Sequence, residues 1–196
     1  MSDAPRHAHS LSEAYLFLRA HRCPLCAEGA LTAGQGRRLD DADGAARIEI
    51  QATCQTCGKD QTFAFTLSDA RSLVREGQPA SFNPSDDPSR LIDLAQWLTL
   101  FRVMLEEASK ENDKSASRAK SIEAAMCLEE ALKFYHDPDN DLPPNEAFFD
   151  EASRKRRRDH PEQFSRRRLV EMRAKLPTPT PLEAPAKNRK PWWRPW

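Results

Sequence analysis

Four cysteines in two matched pairs could bind a metal ion. The pairs are Cys23-Pro24-Leu25-Cys26 and Cys54-Gln55-Thr56-Cys57. A C-x-x-C spacing places two thiolates on one side of a tight turn, and two such turns can surround one Zn²⁺ tetrahedrally. Four thiolates close the coordination shell and leave no position for a catalytic water. The sequence therefore predicts one structural Zn²⁺ bound by Cys23, Cys26, Cys54 and Cys57.

The alternative use of paired cysteines is redox chemistry. A thioredoxin-type dithiol needs one C-x-x-C motif that follows a strand and opens a helix within a βαβ pattern, and neither pair has that context. The first residues lack the apolar core of a secretory signal, and no apolar run approaches the roughly 18 residues of a membrane span. Paired thiols without an export signal favour a metal over disulfides. A cytoplasmic protein without membrane association is therefore expected.

A short helix is predicted before the first cysteine pair. Ser10 and Glu13 have the spacing of a capping box, and apolar residues then recur at helical intervals from about Leu11 to Ala20. Residues 1–20 are therefore expected to form an N-terminal helical segment that leads directly into the first cysteine turn.

Alternating apolar residues predict two strands on either side of the second pair. Apolar and polar residues alternate over 48–52 and again over 63–67. These strands would form an antiparallel hairpin whose turn carries the second cysteine pair, with Gly58 suited to a positive φ angle. The connection between the two pairs is expected to be a loop around 34–36 and 40–44.

Residues 21–68 resemble the zinc-ribbon class. The resemblance rests on the two C-x-x-C motifs, on the glycine after the second motif and on the alternating strand that follows, and it covers about a quarter of the chain. It implies a four-cysteine zinc site in a small β unit, which we expect to extend over 21–78. Zinc ribbons occur in transcription factors, ribosomal proteins, tRNA enzymes and adaptors, so the resemblance implies a metal and a fold without choosing a function.

Residues 90–136 are predicted to form a helical hairpin. A broad apolar stripe runs over 91–108, and a second helical pattern over 122–135 follows a polar turn at 109–117. The second helix weakly resembles the second helix of a tetratricopeptide repeat, but without another copy in the chain this implies hairpin geometry only. Residues 79–89 contain three prolines and are expected to be a linker. Cys127 lies among Ala and Leu of the second helix and is expected to be a buried thiol.

Charge is unevenly distributed along a chain whose net charge is zero. Residues 1–150 contain 16 Lys and Arg against 25 Asp and Glu, whereas residues 151–196 contain 14 against 5. Two short basic helices are expected over 145–175. Their main basic residues are Arg154, Lys155, Arg156, Arg157, Arg158, Arg166, Arg167 and Arg168.

These basic residues allow two interpretations. A segment of this kind can neutralise phosphates and bind nucleic acid. Alternatively, the arginines dock on the acidic part of the same chain or face solvent. The second interpretation is favoured because no aromatic side chains that could stack on bases are interleaved with the arginines.

Residues 176–196 are expected to be a flexible tail rich in proline and tryptophan. Trp192, Trp193 and Trp196 lie outside any predicted element that could bury them, and tryptophan is a common anchor at binding hot spots. A peptide that binds a partner and an intramolecular latch are equally compatible with this composition.

The sequence carries no recognisable catalytic constellation. It lacks a phosphate-binding glycine loop, a nucleophile elbow and an H-E-x-x-H motif, so an enzyme is not expected.

The predicted fold class is α+β, with a small N-terminal four-cysteine zinc ribbon and antiparallel β-hairpin followed by a C-terminal α-helical hairpin and shorter helices. The predicted function is a non-catalytic zinc-binding scaffold or adaptor that acts through contacts with another protein. The alternative is a nucleic-acid-binding zinc-ribbon protein that uses the Arg-rich segment 154–168.

Overall fold

The computed structural model describes residues 5–40, 46–68, 82–83, 85–137 and 139–178. Within these ranges the fold is α+β, as predicted, with one helix between the first and second strands of the sheet and the other helices after the last strand. The strands are β1 (Arg6–Ala8), β2 (Leu31–Asp40), β3 (Ala46–Cys54) and β4 (Asp60–Leu67). The α-helices are α1 (Leu11–Ala20), α2 (Leu94–Lys110), α3 (Lys114–Leu132), α4 (Glu151–Asp159) and α5 (Arg166–Ala174), and two 3-10 helices span Asn145–Ala147 and Pro161–Phe164.

The sheet has the strand order β1-β4-β3-β2. Strands β3 and β4 are antiparallel and form the predicted hairpin around the second cysteine pair, whereas the short β1 lies parallel to β4. The prediction of a loop around 34–36 is wrong, because β2 continues through these residues and pairs with β3, with an irregularity between Ala33 and Gly36. The remaining predicted loop, 40–44, lies almost entirely outside the described residues.

The glycines of β2 are explained by close packing. A Cβ atom on Gly36 would lie 2.5 Å from Cδ1 of Ile48, and the Gly36 N–H donates to the hydroxyl of Tyr15 at 2.9 Å. The absent side chain lets β2 approach both β3 and α1, which is a recognised use of glycine inside a strand. Glycine at this position therefore marks a packed strand.

Helix α1 covers the inner face of the sheet. Its predicted start is confirmed, because the Ser10 hydroxyl accepts a hydrogen bond from the Glu13 N–H at 3.1 Å. Phe17 of α1 packs edge-on against Phe65 of β4, with ring centroids 5.7 Å apart. Ile50 of β3 is fully buried on the same face. Burial of such side chains supplies the main favourable free energy of this layer.

Helices α2 and α3 form the predicted hairpin. Asp93 and Gln96 close a capping box at the start of α2, and Asp113 caps α3. Cys127 is completely buried in α3, with its Sγ 3.4 Å from the Met104 sulfur, which confirms the prediction of a buried thiol. The buried residues of the hairpin belong to the same apolar core as those of the sheet.

Part of the segment expected as a linker packs against both neighbouring regions. The ring of Phe82 stacks on that of buried Trp97 in α2, with centroids 6.1 Å apart, and its carbonyl accepts a hydrogen bond from the Ser10 hydroxyl. Asn83 and Ser89 are also buried. These residues contact the region around α1 as well as the helical hairpin.

The C-terminal described residues form short helical elements against the hairpin. Phe148 and Phe164 are fully buried and pack edge-on with centroids 5.1 Å apart, and the Tyr135 hydroxyl donates to the Phe164 carbonyl at 2.7 Å. Arg173 of α5 pairs with Glu129 of α3. None of the helices in the described part of the chain has the length and apolarity needed to cross a membrane.

Candidate metal centre

The two cysteine turns have the same backbone geometry. In the first, the Ala27 N–H donates to the Cys23 carbonyl at 2.7 Å, and in the second the Gly58 N–H donates to the Cys54 carbonyl at 3.0 Å. The residue after each pair has a positive φ angle, 60° at Ala27 and 67° at Gly58. Glycine suits this conformation, whereas alanine is strained in it. The prediction for Gly58 is therefore confirmed.

The structure brings the four predicted metal ligands together. The Sγ atoms of Cys23 and Cys57 are 3.9 Å apart, those of Cys26 and Cys54 are 3.7 Å apart, and all four lie within 4.8 Å of one another. A tetrahedral ion with Zn–S bonds of about 2.3 Å separates its sulfurs by about 3.8 Å, whereas a disulfide needs about 2.05 Å. The four cysteines are free thiols, so the donor set fits one tetrahedral metal ion.

Hydrogen bonds to sulfur prepare Cys23 to act as a thiolate. Burial opposes the charge, but the N–H groups of Cys26 and Leu25 and the Gln61 amide outweigh it and lower the pKa of Cys23 to about 6. The Gln61 side-chain amide lies 3.1 Å from this sulfur. Outer groups of this kind orient the ligands and adjust their charge.

The neighbouring sulfurs have the opposite effect on Cys57. The N–H of Lys59 lowers the pKa of Cys57, but burial and hydrogen bonding with the three other thiols outweigh it and raise the pKa to about 11. Four negative charges at this spacing repel one another, and a central cation would remove that penalty. A positive ion at the centre would stabilise all four groups as thiolates.

Gly29 is a site residue that the sequence analysis missed. A Cβ atom at this position would lie 2.2 Å from the Cys54 sulfur and 2.9 Å from Cβ of Thr56. The Gly29 carbonyl also accepts a hydrogen bond from the Cys23 N–H at 2.8 Å. The sequence shows a glycine three residues after Cys26, but it does not show why glycine is needed there. The reason is that the second cysteine turn packs against the first at this position.

The Gly29→Ala variant should bind the metal at least about tenfold more weakly, which corresponds to about 1.4 kcal/mol. The added methyl group must displace a ligand sulfur or the backbone between the turns. Gly58→Ala is the matched control, because no heavy atom lies within 4 Å of its new Cβ and only the strain of a positive φ is added. Competition with a chromogenic chelator measures both affinities. Equal affinities in the two variants would contradict the close approach at Gly29.

Two of the predicted basic residues hold the fold together. The Arg156 guanidinium donates to the Ala95 carbonyl at 3.2 Å and to the Thr99 hydroxyl at 2.9 Å, which ties α4 to α2. Arg157 donates to the Pro143 carbonyl at 3.0 Å, and its guanidinium lies 5.3 Å from the centroid of the Phe148 ring. The acceptors of these hydrogen bonds are neutral groups of the same chain, two carbonyls and a hydroxyl.

The other basic residues, apart from Arg166, are more accessible than these two. Arg166 is half-buried. Lys155 pairs with Asp159, and Arg158 with Glu151, both within α4. Exposed members of the segment are Arg154, Lys155, Arg158, Arg167 and Arg168.

Arg156→Gln should lower the free energy of unfolding by about 1–3 kcal/mol, because a charged donor to two acceptors on α2 is lost. Lys155→Gln on the same helix is the control and should change it by less than about 1 kcal/mol, because it removes only an exposed ion pair. Urea unfolding followed by circular dichroism measures both. Equal effects would show that Arg156 does not join α4 to α2.

Residues 179–196 lie outside the described part of the chain, and the predictions for Trp192, Trp193 and Trp196 fall within them.

Comparison of the chain with protein-family models, with curated proteins and with solved structures finds no match in any of the three.

Proposed function

We propose that this chain is a non-catalytic zinc protein of the zinc-ribbon type that acts as a scaffold or adaptor in the cytoplasm. The observation that carries the proposal is the four-sulfur cluster, whose spacing matches a closed tetrahedral shell. An ion held by four thiolates has no open position for water or substrate. Its contribution would be to fold the cysteine turns and fix them against β3 and β4.

Zinc is the proposed ion because soft thiolate ligands in tetrahedral geometry favour zinc or iron and disfavour magnesium and calcium. Two of the ligands, Cys23 and Cys54, are buried, and Cys26 and Cys57 are half-buried. This partial enclosure suits a structural ion. We expect one zinc ion per chain.

Contacts with another protein are proposed for two surfaces. Leu25 is 58% exposed at the tip of the first cysteine turn, where the fold of that turn holds an apolar side chain in solvent. The second surface is the tail segment with Trp192, Trp193 and Trp196, whose composition provides large anchors for a partner. Both features suit a scaffold better than a catalyst.

An affinity capture experiment tests the adaptor proposal. The full chain, loaded with zinc, is compared with a variant in which Trp192, Trp193 and Trp196 are replaced by alanine. The matched control replaces Lys187, Arg189 and Lys190 by alanine, which changes charge in the same segment and keeps the tryptophans. Loss of a specific, saturable partner in the tryptophan variant alone supports the proposal. If the tryptophan variant retains every partner and instead has a lower melting temperature, the tail is an internal latch.

Nucleic-acid binding is the second candidate function. It is favoured by the five exposed basic residues of segment 154–168, of which Lys155 and Arg158 pair with acidic residues of α4 itself. If this candidate is correct, Arg167→Gln with Arg168→Gln should weaken binding and reduce its salt slope by about 2. Absence of binding to single- or double-stranded DNA or RNA at low salt would exclude this candidate.

A further inference from the structure

A cavity of about 610 Å³ lies between the first cysteine turn and the helices. Its walls come from the end of α1, the turn that begins at Cys23, the first half of α2 and the start of α4. Small apolar residues form much of the surface, namely Ala20, Pro24, Ala27, Ala95 and Ala152. Its volume lies within the roughly 300–1,000 Å³ of small-molecule sites.

Arg156 brings a positive charge to this cavity. It is half-buried, and its hydrogen bonds to Ala95, Thr99 and Gln163 use three of the five N–H donors of a guanidinium. Among the residues that the structure describes, no carboxylate lies within ion-pair distance of it. Burial and the nearby charge of Arg102 lower the pKa of Arg156, against the attraction of Asp93.

Two further residues of the wall carry polar groups. Nδ1 of His21 is buried and has no hydrogen-bond partner within the described ranges of the chain, and the imidazole ring packs at a tilt against Phe17 with centroids 3.9 Å apart. Because this atom is buried, His21 contributes to the wall through its ring. Arg22 is exposed at the cavity and uses one donor for the Glu28 carbonyl at 3.1 Å.

The one carboxylate of the cavity wall, Asp150, has another role. Its Oδ1 accepts the Ser153 N–H at 2.7 Å and caps the start of α4. The wall therefore carries two guanidinium groups against one carboxylate that is already engaged with a helix terminus. The excess positive charge and the unused N–H donors are complementary to an anion.

We propose that this cavity binds a small organic anion. Its carboxylate or phosphate oxygens accept hydrogen bonds from Arg156 and Arg22, and its short apolar body packs against the alanine-rich walls. Guanidinium groups suit both kinds of oxygen anion because their donors are planar and paired. The cavity shares one wall residue, Cys23, with the four-sulfur cluster, and the proposal does not depend on the adaptor proposal.

Three probes of similar size test the ligand class on the zinc-loaded full chain. Benzoate carries a carboxylate, phenyl phosphate carries a phosphate, and benzyl alcohol is the neutral control. Titrations followed by amide NMR should show saturable shifts confined to residues 20–27, 95–99 and 150–156 with one or both anions. The anion that binds more tightly shows whether the cavity prefers a carboxylate or a phosphate. Absence of binding, or binding of benzyl alcohol as tight as that of both anions, would overturn the proposal.

Two variants locate the site without removing the hydrogen bonds of Arg156 to α2. Arg22→Gln should weaken anion binding about tenfold, because a charge-assisted hydrogen bond is lost. Ala152→Trp places a large side chain at an exposed position of the wall and should abolish binding. Lys110→Gln, an exposed position at the end of α2 that does not line the cavity, is the control and should leave the affinity unchanged. Unchanged affinity in Arg22→Gln and in a folded Ala152→Trp protein would show that the anion binds elsewhere.

Discussion

The Cys54→Ser variant is expected to lose its zinc and to unfold the cysteine turns and the adjoining ends of β3 and β4. Cys54 is buried at the end of β3, and its sulfur accepts hydrogen bonds from the Thr56 and Cys57 N–H groups at 3.4 Å. Serine cannot complete the four-thiolate shell. Metal binding of this kind contributes on the order of 10 kcal/mol to the folding of small zinc units. Metal analysis and amide hydrogen exchange measure the two losses.

The helical hairpin should survive this change. Trp97 in α2 and Leu128 in α3 are completely buried, and both helices contain none of the four ligands, so most helical circular dichroism should remain. Cys127→Ala is the matched control, because it also removes a thiol but leaves the metal cluster intact. Full zinc retention by Cys54→Ser, or equal zinc loss in both variants, would contradict the four-ligand site.

The Lys133→Met variant is expected to lower the free energy of unfolding by about 3–5 kcal/mol at pH 7.5. Lys133 donates to both carboxylate oxygens of Glu130 at 2.9 Å, and Glu130 is only 1% exposed. The ammonium group also donates to the carbonyls of Asn83 at 2.7 Å and Ser85 at 2.8 Å. Removing this cation leaves the buried carboxylate of Glu130 without a counter-charge. It also removes the two hydrogen bonds to the carbonyls of Asn83 and Ser85. Chemical denaturation measures the loss.

The pH dependence of stability separates the charge of Glu130 from general packing. Burial raises the pKa of Glu130 to about 7, against the attraction of Lys133. Between its ordinary pKa, near 4.5, and about 7, the native state holds a proton that the unfolded state releases, so stability contributed by this group falls as pH rises. Glu130→Gln should remove that component of the slope, and Lys133→Met should enlarge it. Identical pH slopes in wild type and both variants would contradict a buried, titrating Glu130.

Local patterns in the sequence were sufficient to predict the ligands and several elements. The cysteine spacing, the cap at Ser10 and the broad stripe of α2 each lie within one turn or helix, so a short window contains the physical cause. Strand β2 was not predictable in this way. Its glycines disfavour a strand locally, but Ile48 and Tyr15 occupy the space that a side chain at Gly36 would need.

The other missed features depend on contacts between distant residues. Glu13 and Glu130 are buried charged residues from α1 and α3, and His9 donates its backbone N–H to Glu13 beside them. Nothing near Arg156 in the sequence indicates that its guanidinium contacts α2. Such contacts become visible only when the elements are packed together.

Zinc K-edge X-ray absorption of the purified protein tests the central claim most directly. We predict one zinc per chain with four sulfur neighbours at about 2.3 Å and no nitrogen or oxygen neighbour in the first shell. Three or fewer sulfur neighbours, or a bound water or imidazole, would contradict a closed structural site made by Cys23, Cys26, Cys54 and Cys57.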